Sequence, residues 1–170
     1  MDELVVNRVS ESLLTSIDLE DFLPKEEIIL FDLKPFLFRE LILREKDFRE
    51  ALKNLDWQQY AGKLIAVTCT ADVVIPKWAY MLIAVYLQPI AIDIFYGSKQ
   101  DFKNQLLLAN IKKINPEEFA DKRMVIKGCG DENVGEAAYL EITKILRPVA
   151  KSIMYGEPCS TVPIFKKKAL

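Results

Sequence analysis

The stretch LIAVT, residues 64–68, is apolar at nearly every position. Such a run is typical of a strand in a parallel sheet that is covered on both faces. Four other runs have a similar β-like character, and amphipathic segments separate them, which is the βαβ pattern. These runs are IILFDL (28–33), IAIDIF (90–95), RMVIKG (123–128) and SIMY (152–155). The sequence therefore predicts an α/β fold of three layers, a mostly parallel sheet of four to five strands with helices on both faces.

The helical predictions rest on periodicity and on the residues at the helix ends. The segment PKWAYMLIAVYLQP, residues 76–89, is apolar around the whole helix axis, which predicts deep burial. In GSKQDFKNQLLLANIKKI, residues 97–114, Ser98 followed by Asp101 predicts a capping box. Two more helices are expected within residues 43–60 and 131–148.

The length and composition predict a single domain. The chain has 170 residues, of which 51% are hydrophobic, and this is enough to build one substantial core. Residues 1–24 are expected to form an N-terminal arm or an edge strand. Residues 163–170 are expected to form a basic C-terminal tail.

The charge pattern argues against nucleic acid and membrane partners. The net charge is -2, from 23 basic and 25 acidic residues, so no global field attracts nucleic acid or an anionic membrane. The longest apolar stretch is interrupted by Gln88, Pro89 and Asp93 and falls short of the roughly 20 apolar residues that a spanning helix needs. The first residues lack the basic and apolar regions of a secretory signal, which predicts a cytoplasmic protein.

The absence of histidine restricts the possible chemistry. With no histidine in the chain, Ser-His-Asp and Cys-His catalysis and HExxH zinc sites are excluded. The three cysteines form no CxxC pair, and their odd number argues against a disulfide framework. Any reaction must therefore use Cys, Asp, Glu, Lys, Tyr or a bound cofactor.

Each cysteine follows a β-like run. Cys69 follows LIAVT, Cys129 follows RMVIKG and Cys159 follows SIMYGEP. Because the carboxyl ends of parallel strands share one edge of a sheet, the three thiols are expected to meet there. With Asp72 and Asp131 as the available carboxylates, such a site suits zinc or an iron–sulfur cluster. The alternative is that the cysteines are small apolar fillers of the core.

The loop KGCGDENVG, residues 127–135, is a second candidate feature. Gly128 and Gly130 permit a tight turn before a helix, and Lys127 adds a positive charge, so the loop is a candidate site for a small anion. The loop lacks the GK[ST] ending of a Walker A motif and is not GxGxxG. Nucleotide binding is therefore unsupported.

Four segments together resemble an uncharacterised bacterial family of unknown function. They are LILREKDFR, DVVIPKWAYMLIA, VIKGCGD and SIMYGEPCSTVPIFKK, and the resemblance spans nearly the whole chain. Members of that family are often encoded beside the SUF genes of iron–sulfur cluster assembly. The resemblance implies a role in iron–sulfur or thiol metabolism, with protein partners from cluster assembly, and it implies no particular activity.

Three hypotheses about function remain open from the sequence. The first is an accessory factor in iron–sulfur or sulfur metabolism that uses a cysteine site. The second is a non-catalytic binding or scaffold module in which the cysteines are structural and REKDFRE, residues 44–50, or the basic tail contacts a partner. The third is an enzyme with a cysteine nucleophile that works without histidine. The sequence leaves the oligomeric state open.

Overall fold

The computed structural model describes residues 14–128, 134–157 and 160–168. Within these residues the chain forms seven strands and four α-helices. The strands are β1 (Leu14–Asp18), β2 (Ile28–Asp32), β3 (Leu64–Thr68), β4 (Asp93–Tyr96), β5 (Arg123–Lys127), β6 (Ser152–Glu157) and β7 (Ser160–Lys166). The helices are α1 (Glu45–Asn54), α2 (Lys77–Leu87), α3 (Lys99–Ile111) and α4 (Glu136–Leu146). The predicted α/β class is confirmed.

The strands belong to two sheets rather than to one. Among the described residues, one sheet has the order β1-β5-β6-β7 and the other has the order β2-β3-β4. The β1–β5, β5–β6, β2–β3 and β3–β4 pairs are parallel, and β6–β7 is antiparallel. The predicted mostly parallel pairing is therefore confirmed, whereas the division into two sheets was not foreseen.

The chain divides into two compact units. The four-strand unit comprises Met1–Leu23 and Leu106–Leu170, and the three-strand unit comprises Pro24–Gln105. The second boundary falls within α3. The single domain expected from length and composition stays a prediction.

In the three-strand unit, helices contact both faces of the sheet. On one face, Ile65 and Val67 of β3 pack in a cluster with Phe48 of α1 and Ile83 of α2. Successive side chains of a strand point to opposite faces. Ile94 packs against that cluster, and the next residue, Phe95, stacks on Phe102 of α3 with ring centroids 5.0 Å apart. This two-sided cover explains why LIAVT is apolar without alternation.

In the four-strand unit, the central strand β5 supplies most of the buried sheet residues. Met124 and Ile126, two residues apart on one face, pack in a cluster with Ile142 of α4 and Ile111 of α3. The antiparallel strand β7 was not predicted, and Pro163 to Lys166, which were expected to belong to a basic tail, lie within it. Pro163 is tolerated because β7 is at the sheet edge, where a missing N–H costs little.

Helix α2 is less buried than its sequence predicts. Ala79, Ile83 and Leu87 are fully buried, whereas Met81 and Val85 are each 69% exposed. The prediction of deep burial is therefore wrong for the second face of this helix. Among the described residues, no helix is both long enough and apolar enough to cross a membrane.

Candidate functional site

The carboxyl ends of β5 and β6 lie side by side in the four-strand sheet. Ile126 is in register with Tyr155. Beyond that pair, Lys127 Nζ contacts Glu157 Oε2 at 2.8 Å and bridges the two strand ends. In the sequence, Cys129 follows Lys127 by two residues and Cys159 follows Glu157 by two residues. This ion pair therefore marks the carboxyl edge of the four-strand sheet, where the sequence predicts a thiol site.

Several predicted site residues lie outside the described residues. These are Cys129, Gly130, Asp131 and Cys159. Lys127 and Gly128 are described and lie at the carboxyl end of β5.

The environment of Lys127 is acidic. The hydrogen bond from Lys127 to Glu157 raises the pKa of the lysine, burial partly opposes this, and the charges of Glu157, Asp18 and Asp21 add to the increase. One carboxylate, Glu157, contacts this ammonium group, and two more, Asp18 and Asp21, contribute to its electrostatic environment. The field favours a bound cation over an anion. Lys127 is paired with Glu157, and the predicted anion-binding role of this loop stays a prediction.

Gly128 allows a close contact between β5 and α4. Its carbonyl oxygen accepts a hydrogen bond from the Tyr139 hydroxyl group at 3.0 Å. A Cβ at Gly128 would collide with that hydroxyl oxygen. The Tyr139 ring also makes an edge contact with Tyr155, with centroids 5.7 Å apart. These contacts fix the path of the chain immediately before Cys129.

Glu157 and Tyr139 are site residues that the sequence analysis missed. The Lys127–Glu157 pair depends on the β5–β6 register, which sequence periodicity does not give. The available signal was that RMVIKG has a charged residue, Lys127, next to its carboxyl end and SIMYGE has one, Glu157, at its carboxyl end.

The strands that precede Cys69 and Cys129 in the sequence belong to different sheets, β3 to the three-strand sheet and β5 to the four-strand sheet. The expectation that the three thiols meet at one edge stays a prediction. The Cys69 thiol is half-buried and donates to the Ala71 carbonyl oxygen at 3.7 Å. Asp72 is exposed. Across the part of the chain that the structure describes, no three Cys, Asp or Glu side chains cluster as metal ligands do.

A different polar cluster lies at the carboxyl end of β2. Asp32 accepts hydrogen bonds from the Thr70 amide at 3.0 Å, the Thr70 hydroxyl at 2.5 Å and the Lys34 amide at 3.0 Å. Partial burial opposes ionisation of Asp32, but the hydrogen bonds from Thr70 and Lys34 outweigh it and lower the pKa of this carboxyl. The cluster ties the loop after β3 to the end of β2. It was not predicted, and it explains why the polar residue Thr70 follows Cys69.

Asp32→Asn is expected to destabilise the protein by about 1–2 kcal/mol at pH 7, because hydrogen bonds to a partly exposed charged acceptor are lost. The pKa of Asp32 is lower in the folded than in the unfolded state, where its ordinary value is 3.8. The stabilisation is therefore present above pH 3.8 and disappears as the pH falls through the folded-state value. Urea titrations from pH 7 to pH 2.5 measure this difference between variant and wild type.

The matched control for this prediction is Asp72→Asn, which removes an exposed carboxylate from the same loop. At pH 7 it should leave stability close to that of wild type, because the side chain is exposed. A difference between Asp32→Asn and wild type that stays constant down to pH 2.5 would contradict the assignment.

Comparisons with known proteins identify one match. A protein-family model described as "Protein of unknown function (DUF2480)" matches residues 3–167. No curated protein and no solved structure is significantly similar to this chain. The function therefore has to be inferred from the site.

Proposed function

Because the chain belongs to the DUF2480 family of proteins of unknown function, we propose a function from the site itself. Cys129 and Cys159 form a dithiol site at the carboxyl edge of the four-strand sheet that binds a thiophilic metal ion, zinc or iron. The protein acts in the cytoplasm as an accessory factor in thiol or iron–sulfur metabolism. The observation that carries this proposal is the 2.8 Å contact between Lys127 and Glu157.

Covalent geometry supports the pairing of the two cysteines. Each cysteine follows, by two residues, one member of the Lys127–Glu157 pair. Two residues of extended chain span at most about 7 Å. The Cα atom of each cysteine is therefore within about 7 Å of the Cα atom of one member of this pair, which supports the proposal that the two thiols are near each other.

The charges at this edge favour a metal cation. Glu157 pairs with the ammonium group of Lys127, and the negative charges of Asp18 and Asp21 also act on it. Metal binding by cysteine requires loss of the thiol protons, and a divalent cation offsets the resulting negative charge. Thiolate sulfur with carboxylate oxygen is a ligand set that zinc accepts, and Asp131 remains the proposed carboxylate ligand.

The same charges disfavour a cysteine nucleophile. A reactive thiolate needs a positive environment or a nearby base. Lys127 is held by Glu157, so it is not a free base, and the surrounding carboxylates oppose formation of an unbound thiolate.

A second candidate function, a binding module, is favoured by the hairpin of residues 38–42. Phe38 pairs with Ile42 in an isolated bridge, and Leu41 and Ile42 are more than half exposed. The Arg44 guanidinium lies over the Phe38 ring, 3.3 Å from its centroid. An apolar tip beside an arginine suits a protein partner, and Arg44 begins the REKDFRE segment to which the sequence analysis assigned this role.

The dithiol is tested by capture with phenylarsine oxide in the Cys69→Ser protein, which retains only Cys129 and Cys159. Two thiols and one arsenic oxide give one dithioarsenite and one water. The proposal predicts one arsenic per folded chain by mass spectrometry, protection of both thiols from iodoacetamide, and reversal by a competing dithiol. If both thiols are alkylated as fast with the arsenical as without it, they do not form one site and the binding module takes its place.

A further inference from the structure

In the four-strand unit an open groove lies between helix α4 and the edge strand β7. We define the α4 groove as the space between Leu140, Thr143 and Arg147 on one side and Ile164 of β7 on the other, with a volume of about 550 Å³. A smaller cavity of about 170 Å³ shares Tyr139, Thr143 and Ile164 with it and adjoins it. Strands β5 and β6 contribute Ile126, Ile153, Met154 and Tyr155 to this smaller cavity. The α4 groove has the volume of a small-molecule site, roughly 300–1,000 Å³, and a mainly apolar lining.

An irregularity in β7 supplies one wall of the groove. The register between β6 and β7 shifts after Ile153, and Ile164 is the residue of β7 that has no register partner in β6. A bulge of this kind inserts an extra residue and changes the direction of a side chain. Ile164 and Leu140 both line the groove and are 54% and 68% exposed. The exposed apolar side chains of the strand and of the helix therefore belong to one site.

One end of the α4 groove is cationic. Lys144 and Arg147 line it at the carboxyl end of α4. Lys144 pairs with Glu141 at 2.9 Å. The guanidinium carbon of Arg147 lies 3.8 Å from the centroid of the Phe165 ring. Across the described part of the chain, the contact that holds Arg147 is this ring and not a carboxylate, so its N–H groups can donate to a bound anion.

The backbone next to the cationic end brings further lysines together. The Lys151 amide donates to the Lys122 carbonyl oxygen at 2.8 Å, and the Lys167 amide donates to the Lys151 carbonyl oxygen at 2.9 Å. Phe165, the ring beside the guanidinium, precedes Lys167 by two residues. Asp121 pairs with Lys167 at 3.3 Å and neutralises one of these charges. Positive charge therefore exceeds negative charge at this end of the groove, which favours an anionic group there.

We propose that the α4 groove binds an aliphatic monocarboxylate, a molecule of the fatty-acid class. Its carboxylate accepts hydrogen bonds from Arg147, which suits a planar two-oxygen acceptor. Its hydrocarbon chain lies along Leu140 and Ile164 and removes their apolar surface from water. Glu136 lines the groove at the other end of α4, about 16 Å from Arg147 along the helix axis, and repels a second carboxylate. This proposal does not rest on the cysteines or on the proposed metal site.

Isothermal titration calorimetry of the full chain with sodium dodecanoate, below the concentration at which it forms micelles, tests the groove. The wild-type protein should bind one dodecanoate per chain. Dodecyltrimethylammonium has the same hydrocarbon chain with a cationic head, and dodecanedioate has a second carboxylate. Each should bind at least about 10-fold more weakly than dodecanoate, because each places an unfavourable charge at one end of the groove.

Two pairs of variants separate the head-group contact from the apolar contact. Arg147→Gln should weaken dodecanoate binding at least about 10-fold, since it removes a charged donor. Arg49→Gln, which removes an exposed arginine of α1, is its control and should bind like wild type. Leu140→Glu should also weaken binding, whereas Met81→Glu should not, although Leu140 and Met81 are equally exposed, 68% and 69%. Circular dichroism should be unchanged in all four variants, because every substituted side chain is exposed.

Three results would overturn the proposal. The first is a wild-type protein that binds no dodecanoate. The second is equal affinity for dodecanoate and dodecyltrimethylammonium, or equal dodecanoate affinity in wild type and Arg147→Gln, which would indicate unspecific adsorption of the hydrocarbon chain. The third is cosedimentation with phosphatidylglycerol vesicles, lost in Arg147→Gln and Leu140→Glu, without binding of free dodecanoate, which would assign this surface to a lipid bilayer instead.

Discussion

Phe31→Ala is expected to lower the free energy of unfolding by about 3–5 kcal/mol, the usual cost of removing a fully buried aromatic ring. Phe31 is 2% exposed and lies at the centre of an aromatic cluster in the three-strand unit. Its ring stacks on Phe36 and on Trp57, with centroids 5.6 Å and 5.7 Å away, and is tilted against Tyr60 at 5.6 Å. Alanine at this position leaves a cavity between the rings of Phe36, Trp57 and Tyr60.

Urea unfolding followed by tryptophan fluorescence measures this loss, because Trp57 contacts the substituted ring directly. Phe31→Leu retains most of the volume and should cost about 1–1.5 kcal/mol. Phe38→Ala removes a ring that is 39% exposed and should cost less than about 1 kcal/mol. A loss below about 1.5 kcal/mol for Phe31→Ala would show that the aromatic cluster does not support this unit.

Local features of the fold were predictable because they depend on neighbouring residues. Ser98 and Asp101 form the predicted capping box, with the Ser98 amide and hydroxyl donating to Asp101 Oδ2 at 3.1 and 2.6 Å, and the Asp101 amide donating to Ser98 Oγ at 3.1 Å. LIAVT is a fully covered strand, as its apolar composition indicates.

Features that depend on distant residues were not predictable. The hydrophobic pattern of a strand does not specify its neighbour, so the division of the strands into two sheets was missed. Pro163 obscured β7, because proline is rare in strands other than edge strands. The Lys127–Glu157 pair joins two neighbouring strands, and the Asp32–Thr70 bonds join β2 to the loop after β3, so both depend on which strands are neighbours.

The sequence was sufficient to predict where Cys129 lies in the order of strands and loops. It was not sufficient to predict the charges around Lys127. Placing Cys129 after a strand end needed only the pattern of RMVIKG. The charges that act on Lys127 come from Asp18, Asp21 and Glu157, which are distant in sequence, so the sequence pattern of the loop did not reveal them. The metal-binding proposal therefore depends on the fold as well as on the cysteines.

Replacement of either proposed ligand is expected to weaken metal binding by at least about 100-fold. Loss of a residue that only supports a metal ligand costs about 10–100-fold in affinity, so loss of a thiolate ligand itself should cost at least the upper value. Serine keeps the size of cysteine but is a poor ligand for zinc at neutral pH. Cys129→Ser and Cys159→Ser should therefore weaken metal binding to a similar extent, since each variant retains only one of the two proposed thiolate ligands.

The most direct test of the metal site is an anaerobic zinc titration against a chromogenic chelator, with wild type, Cys129→Ser, Cys159→Ser and Cys69→Ser in parallel. Cys69 lies at the end of a strand in the other sheet and serves as the matched control. The account predicts one zinc ion per chain for wild type and Cys69→Ser, and at least about 100-fold weaker binding for the other two variants, with unchanged circular dichroism. Equal zinc affinity in all four proteins, or loss of binding in Cys69→Ser alone, would contradict a metal site at Cys129 and Cys159.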